Sequence, residues 1–79
     1  MSPTVARIGP YRFFLYGNEG FEPPHIHVLR ERMLAKFWLE PVGLAGSTGF
    51  RPHELFEIQR LVEENGARFK EAWNDFFHA

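Results

Sequence analysis

The chain has 79 residues, a formal net charge of −1 and no cysteine, which bounds it to one domain and excludes disulfides, thiolate metal sites and a polycation built for nucleic acid. Nine Phe, two Trp and two Tyr make 16% of it aromatic, more ring surface than so short a chain easily hides, so part is expected at an interface with a second copy or a partner protein. Chains below roughly 80 residues usually add a staple to a marginal core, and here the choices are association, a His/carboxylate metal site or heavy aromatic packing.

Thr4 to Ile8 is short and partly β-branched, and Gly9-Pro10 after it is a turn dipeptide. Residues 11–16 form an aromatic run with high strand preference, ended by Gly17-Asn18-Glu19-Gly20. Pro23-Pro24 keeps the chain extended, since each ring fixes φ and biases the residue before it away from helix. His25 to Arg30 alternates around Ile26 and Val28 as a third strand, and Met33 to Leu39 is a fourth. The tight turn at Glu31-Arg32 lacks the Gly, Asn or Asp such turns favour, which leaves its register open.

Residues 41–49, rich in Gly with Ser47 and Thr48, read as a loop. The period then changes to 3.6. Pro52 suits a first helical position, and Leu55, Ile58, Leu61 and Val62 form an apolar stripe. Asn65-Gly66 is a stop signal with Gly at a C′ position. A second helix carries Phe69, Ala72, Trp73, Phe76 and Phe77 on one face. The expected fold is α+β: about four antiparallel strands followed by a C-terminal helical hairpin packed on one sheet face, with residues 1–79 as a single domain. No apolar run approaches the ~20 residues of a membrane span. Met1-Ser2-Pro3-Thr4 shows no charged n-region leading into an apolar stretch, so a cytoplasmic location is expected.

The segment Glu22-Pro23-Pro24-His25-Ile26-His27-Val28 is the strongest candidate for a site. Residues two apart on a strand share a face, so His25 and His27 project together, opposite Ile26 and Val28. Such a pair offers two nitrogens to one metal or two acid/base groups to one phosphate. It also occurs as plain packing beside aromatics. Glu19 or Glu22, just upstream, is placed to orient an imidazole or complete the site. A zinc site would need a third ligand, and His53 and His78 in the helical part do not obviously reach the strand, so no metal or cofactor is assigned. His53 opens a helix and reads as an exposed residue. Arg7, Arg12 and Lys36 lie inside strands, where charge is costly unless that face is open. If they share the face of the histidines, cations and aromatics interleave there and suit a phosphate backbone; a solvated face with snorkelling stems is the plainer alternative. Phosphate loops, nucleophile elbows and HExxH are absent from the sequence.

Pro3-Thr4-Val5, Arg7-Ile8-Gly9-Pro10-Tyr11-Arg12-Phe13-Phe14, Asn18-Glu19, Glu22-Pro23-Pro24-His25-Ile26-His27-Val28 and Ala35-Lys36-Phe37-Trp38-Leu39 together resemble the short bacterial proteins grouped as domain of unknown function 4160. Pro41-Val42, Leu44-Ala45, Gly49-Phe50 and Glu54-Leu55 fit the same pattern, so the resemblance covers nearly the whole chain. It implies a two-gene layout similar to toxin–antitoxin modules, hence a small partner protein encoded nearby and action on RNA or translation. The chain departs from the pattern at Glu31-Arg32, where related chains tend to carry a Gly-containing turn, and at Arg51, where a Ser-like helix cap is usual.

The leading expectation is therefore a toxin-like component of a two-gene module acting on RNA or translation. As a metal-independent ribonuclease it would use His25 and His27 as general acid and base. Glu22 joins them as a catalytic candidate, and Arg7, Arg12 and Lys36 are the candidate nucleic-acid contacts, Arg12 and Lys36 also steadying phosphorane charge. Two alternatives stand beside it. One is a non-enzymatic interaction module, antitoxin-like or regulatory, binding a partner or a second copy. The other is a metal-dependent hydrolase.

Overall fold

The structure is a computed structural model and describes residues 2–78. Five strands, β1 (Thr4–Ile8), β2 (Tyr11–Phe14), β3 (His25–Arg30), β4 (Met33–Leu39) and β5 (Val42–Thr48), are followed by helices α1 (Pro52–Glu64) and α2 (Gly66–His78). The strands form one antiparallel sheet in sequence order. The α+β expectation holds, with five strands where about four were predicted.

The extra strand is β5. Gly43, Gly46, Ser47 and Thr48 carry little strand preference of their own. The segment is an exposed edge, so no alternation of apolar and polar residues marks it. What makes it a strand is the hydrogen-bond ladder offered by β4, in register from Leu34↔Thr48 to Leu39↔Val42 with an irregularity at Lys36/Phe37. Residues 41–49 are therefore a strand and its turn, not a loop.

The β3–β4 turn keeps a tight register, with Arg30 opposite Met33 and only Glu31 and Arg32 between them. It is closed by Glu31 in the left-handed region, φ 54°. That is the conformation for which such turns normally use glycine at the first position.

The core lies between sheet and helices: Phe13, Ile26, Val28, Ala35 and Phe37 from the strands meet Ile58, Val62, Phe69 and Trp73 from the helices. Phe13 and Phe69 sit 5.0 Å apart between ring centroids. Arg51 replaces a Ser-like cap without leaving the first turn bare, because Glu54 Oε1 accepts the Arg51 backbone N–H at 2.9 Å. At the other end α1 stops at Glu64 with Asn65 as its C-cap, so Gly66 takes the expected C′ position. Asn65 closes α1 by donating its side-chain and backbone N–H groups to the Leu61 carbonyl, at 2.8 and 3.0 Å. Gly66 is the first residue of α2, so the two helices abut without a left-handed glycine between them. No helix among the described residues is long and apolar enough to cross a membrane.

Candidate functional site

The ladder assigns the sheet's two faces. Ile26, Val28, Ala35 and Phe37 turn toward the helices. On the other face lie two rows of paired positions: Phe14, His27, Lys36 and Gly46, and beside them Arg7, Arg12, Leu29, Leu34 and Thr48. Arg7, Arg12, Lys36 and the histidines thus share one face, and the cations are layered on its aromatics. The Arg12 guanidinium lies 4.6 Å from the Phe14 ring centroid, and Lys36 Nζ lies 4.7 Å from that of Trp38. Arg12 is also tied down at the N-terminal end, donating to Thr4 Oγ1 at 2.6 Å and to the Ser2 carbonyl at 2.7 Å. Arg7 stands opposite it and is exposed.

His25 and His27 share that face as the spacing predicts, but they are not open to it. They are 0% and 6% exposed. The loop of residues 15–24 folds back over them. Pro23-Pro24 keeps its last stretch extended, and the Pro24 carbonyl accepts the Leu39 N–H at 3.0 Å. Gly20 lies directly against Phe77 of α2, where a Cβ would come within 2.5 Å of the ring. Around the imidazoles stand rings: Trp73 is 4.8 Å from His25, Tyr16 is 4.5 Å from His27, and Phe14 stacks on His27 at 5.5 Å.

The loop carries the carboxylate that meets the histidines, and it is Glu19. Its Oε1 accepts from His27 Nε2 at 2.7 Å and stands 2.8 Å from His25 Nε2. Glu22, grouped with the histidines from sequence, instead pairs with Lys36 at 2.5 Å. His25 Nδ1 faces the Pro23 carbonyl at 2.9 Å. A carbonyl only accepts, so Nδ1 bears the proton and Nε2 is the nitrogen aimed at Glu19.

Electrostatics follow from this enclosure. Burial pushes the Glu19 carboxyl up, but its close contacts with the Nε2 atoms of His25 and His27 outweigh it and hold the group below its ordinary value. His27 is pushed down, chiefly by burial; its hydrogen bond to Glu19 opposes the shift, and the nearby Lys36 adds to it. His27 is therefore neutral near pH 7, with Nε2–H donating. A general acid and base need nitrogens that reach a substrate, and here the Nε2 atoms of both rings are spent on one carboxylate oxygen.

Two of the grooves that adjoin the sheet bear on the cationic face and the edge strand. One, of about 180 Å³, is lined by His27, Leu34, Lys36, Gly46 and Thr48 on the cationic face. The second, of about 200 Å³, is apolar and lies between β5 and α1, lined by Phe37, Leu44, Pro52, Leu55 and Phe56. Phe56 is 74% exposed there. Among the described residues Glu19, His25 and His27 are the one cluster with ligand atoms close enough to hold a metal, all within 4.8 Å of one another. His53 and His78 are exposed on the helices and outside this cluster.

A family model described as Domain of unknown function (DUF4160) matches residues 11–74. The match takes in the histidine strand, Arg12 and Lys36 of the cationic face and most of both helices, and begins after Arg7. No curated protein and no solved structure matches the chain. The chain belongs to the DUF4160 family.

Proposed function

We propose that this DUF4160 member is the RNA-acting component of a two-gene module and that it grips a single-stranded RNA backbone on the sheet face carrying Arg7, Arg12 and Lys36. The observation behind this reading is that Lys36 and His27 line one groove on the face that also bears both arginines. A groove of about 180 Å³ is below the roughly 300–1,000 Å³ usual for whole small-molecule ligands. A phosphate with part of its ribose is a closer match. Phe14 and Trp38 are already covered by Arg12 and Lys36, so this face favours phosphate contact over base stacking. The histidines do not enter as an acid/base pair, because their enclosure under Glu19 suits a supporting role.

Fluorescence anisotropy with a labelled single-stranded RNA tests the reading. Wild type binds with an affinity that falls as salt rises, and Arg12→Ala/Lys36→Ala binds at least several-fold more weakly. Equal binding by that double variant, or none by wild type at low salt, rejects it.

A second reading, the non-enzymatic interaction module, is favoured by the apolar groove at Phe56 and Leu44 beside the exposed edge strand β5. A free edge offers unpaired backbone groups to an added strand, with the groove taking its side chains. Light scattering after size exclusion, alone and with the neighbouring gene's product, distinguishes it. A complex that Phe56→Asp abolishes supports the module, and a monomer in both mixtures opposes it.

A further inference from the structure

We infer that Glu19, His25 and His27 form a binding site for one divalent cation of the zinc class, which fastens the loop of residues 15–24 onto the sheet. The inference stands apart from the RNA reading, since it concerns what holds the loop and not what the sheet face binds.

The first argument is the donor set. Two imidazole nitrogens and one carboxylate oxygen suit zinc and its first-row neighbours. Calcium and magnesium prefer all-oxygen shells.

Pre-orientation of the ligands is the second. A metal-bound histidine usually donates its other ring N–H to a carbonyl or carboxylate, which fixes the ring and its tautomer. His25 does this toward the Pro23 carbonyl at 2.9 Å, leaving Nε2 pointing at Glu19 and His27. The two rings stand at 88° to each other with centroids 5.1 Å apart, so their nitrogens converge from different directions.

Hydrogen-bond accounting supplies the third. With Nδ1–H committed to the carbonyl, a neutral His25 has only a lone pair at Nε2, and it faces a carboxylate oxygen 2.8 Å away. Two lone pairs at that distance require a cation between them. A proton satisfies the contact, and so does a metal ion, which also takes the Nε2 lone pair of His27 once that ring carries its proton on Nδ1 instead.

Fit and need agree with this. Metal–ligand distances near 2.0–2.2 Å in tetrahedral geometry separate ligand atoms by about 3.3 Å, so Glu19 would retreat by roughly 0.5 Å from each nitrogen. The histidines sit on a central strand, but Glu19 rides on a loop and is part-exposed at its side chain, which gives the ion an entry path. The site lies in an aromatic shell of Phe14, Tyr16, Trp38 and Trp73. A short chain without cysteine lacks every other covalent or thiolate staple.

The test uses the full chain, stripped with chelator and titrated with zinc alone by calorimetry, with cobalt(II) as a spectroscopic stand-in. The expected result is one zinc per chain, a higher melting temperature when it is bound, and visible cobalt d–d bands of a low-coordinate site. Glu19→Gln keeps a hydrogen-bonding side chain in place but ligates poorly, and it should weaken zinc binding at least tenfold. His53→Ala/His78→Ala should bind like wild type. The inference is overturned if wild type takes up no zinc, if Glu19→Gln binds as tightly as wild type, or if only the His53/His78 variant loses the ion. Circular dichroism of each variant without metal separates lost ligation from lost folding.

Discussion

Glu22 Oε1 stands 2.5 Å from Lys36 Nζ, so the carboxylate nearest the histidine strand in sequence neutralises the cation that lines the groove. Any phosphate that enters the groove competes with Glu22 for Lys36. A partly exposed pair of this kind holds together by roughly 0.2–1 kcal/mol. Glu22→Gln should therefore raise affinity for single-stranded RNA by about 1.5–5-fold, read by anisotropy at fixed low salt. Unchanged or weaker binding would remove Lys36 from the phosphate contact.

Acid should destabilise the protein from near-neutral pH downward. His27 has its folded value lowered, so below its ordinary 6.5 the unfolded chain takes up a proton that the folded one refuses, and stability falls. Glu19 is also lowered, so its contribution is present above its ordinary 4.5 and is lost as pH drops through the folded value. The two effects have the same sign and act in successive windows. Urea melts of metal-free protein between pH 7.5 and 4 (a range chosen to span both ordinary values) should show a steady decline. His27→Gln should flatten the upper part of that curve, and a flat wild-type profile would contradict both assignments.

Glu31 holds the left-handed conformation at φ 54° in a two-residue turn. That conformation costs an L-residue about 1–2 kcal/mol, while glycine gives back roughly 0.5–1 kcal/mol through its freer unfolded chain. Glu31→Gly should gain up to about 1.5 kcal/mol, the difference of those terms. Chemical denaturation checks this, and a loss of stability would mean that the contact between Arg30 and Glu31 outweighs the backbone strain.

Gly20 is where the site loop meets α2. Gly20→Ala forces a methyl to within 2.5 Å of the Phe77 ring, and overpacking of this sort costs about 1–3 kcal/mol. Combining it with Phe77→Leu should recover part of the loss, a non-additivity expected of touching residues. Additive losses would show that the loop and helix do not bear on each other in solution.

Much of this arrangement is legible in the chain itself. The period-two alternation at His25–Arg30 places both imidazoles on one face, and the period-3.6 stripes at Ile58/Val62 and Phe69/Trp73 give the helices their buried sides. These are local patterns, dictated by backbone geometry and the burial of apolar side chains. The strand β5 was hidden because its stability comes from a neighbour's ladder and not from its own residues.

What only the tertiary structure decided is the state of the site. Sequence distance favours Glu22 as the partner of the histidines, yet the turn from Tyr16 to Glu19 and the extended prolines deliver Glu19 to them and Glu22 to Lys36. The same loop, held against Phe77, closes over imidazoles that strand alternation alone leaves on an open face. Residue types and their spacing determined which groups share a face. Loop closure, a contact among segments distant in sequence, decided which charges touch and which of them remain in reach of a ligand.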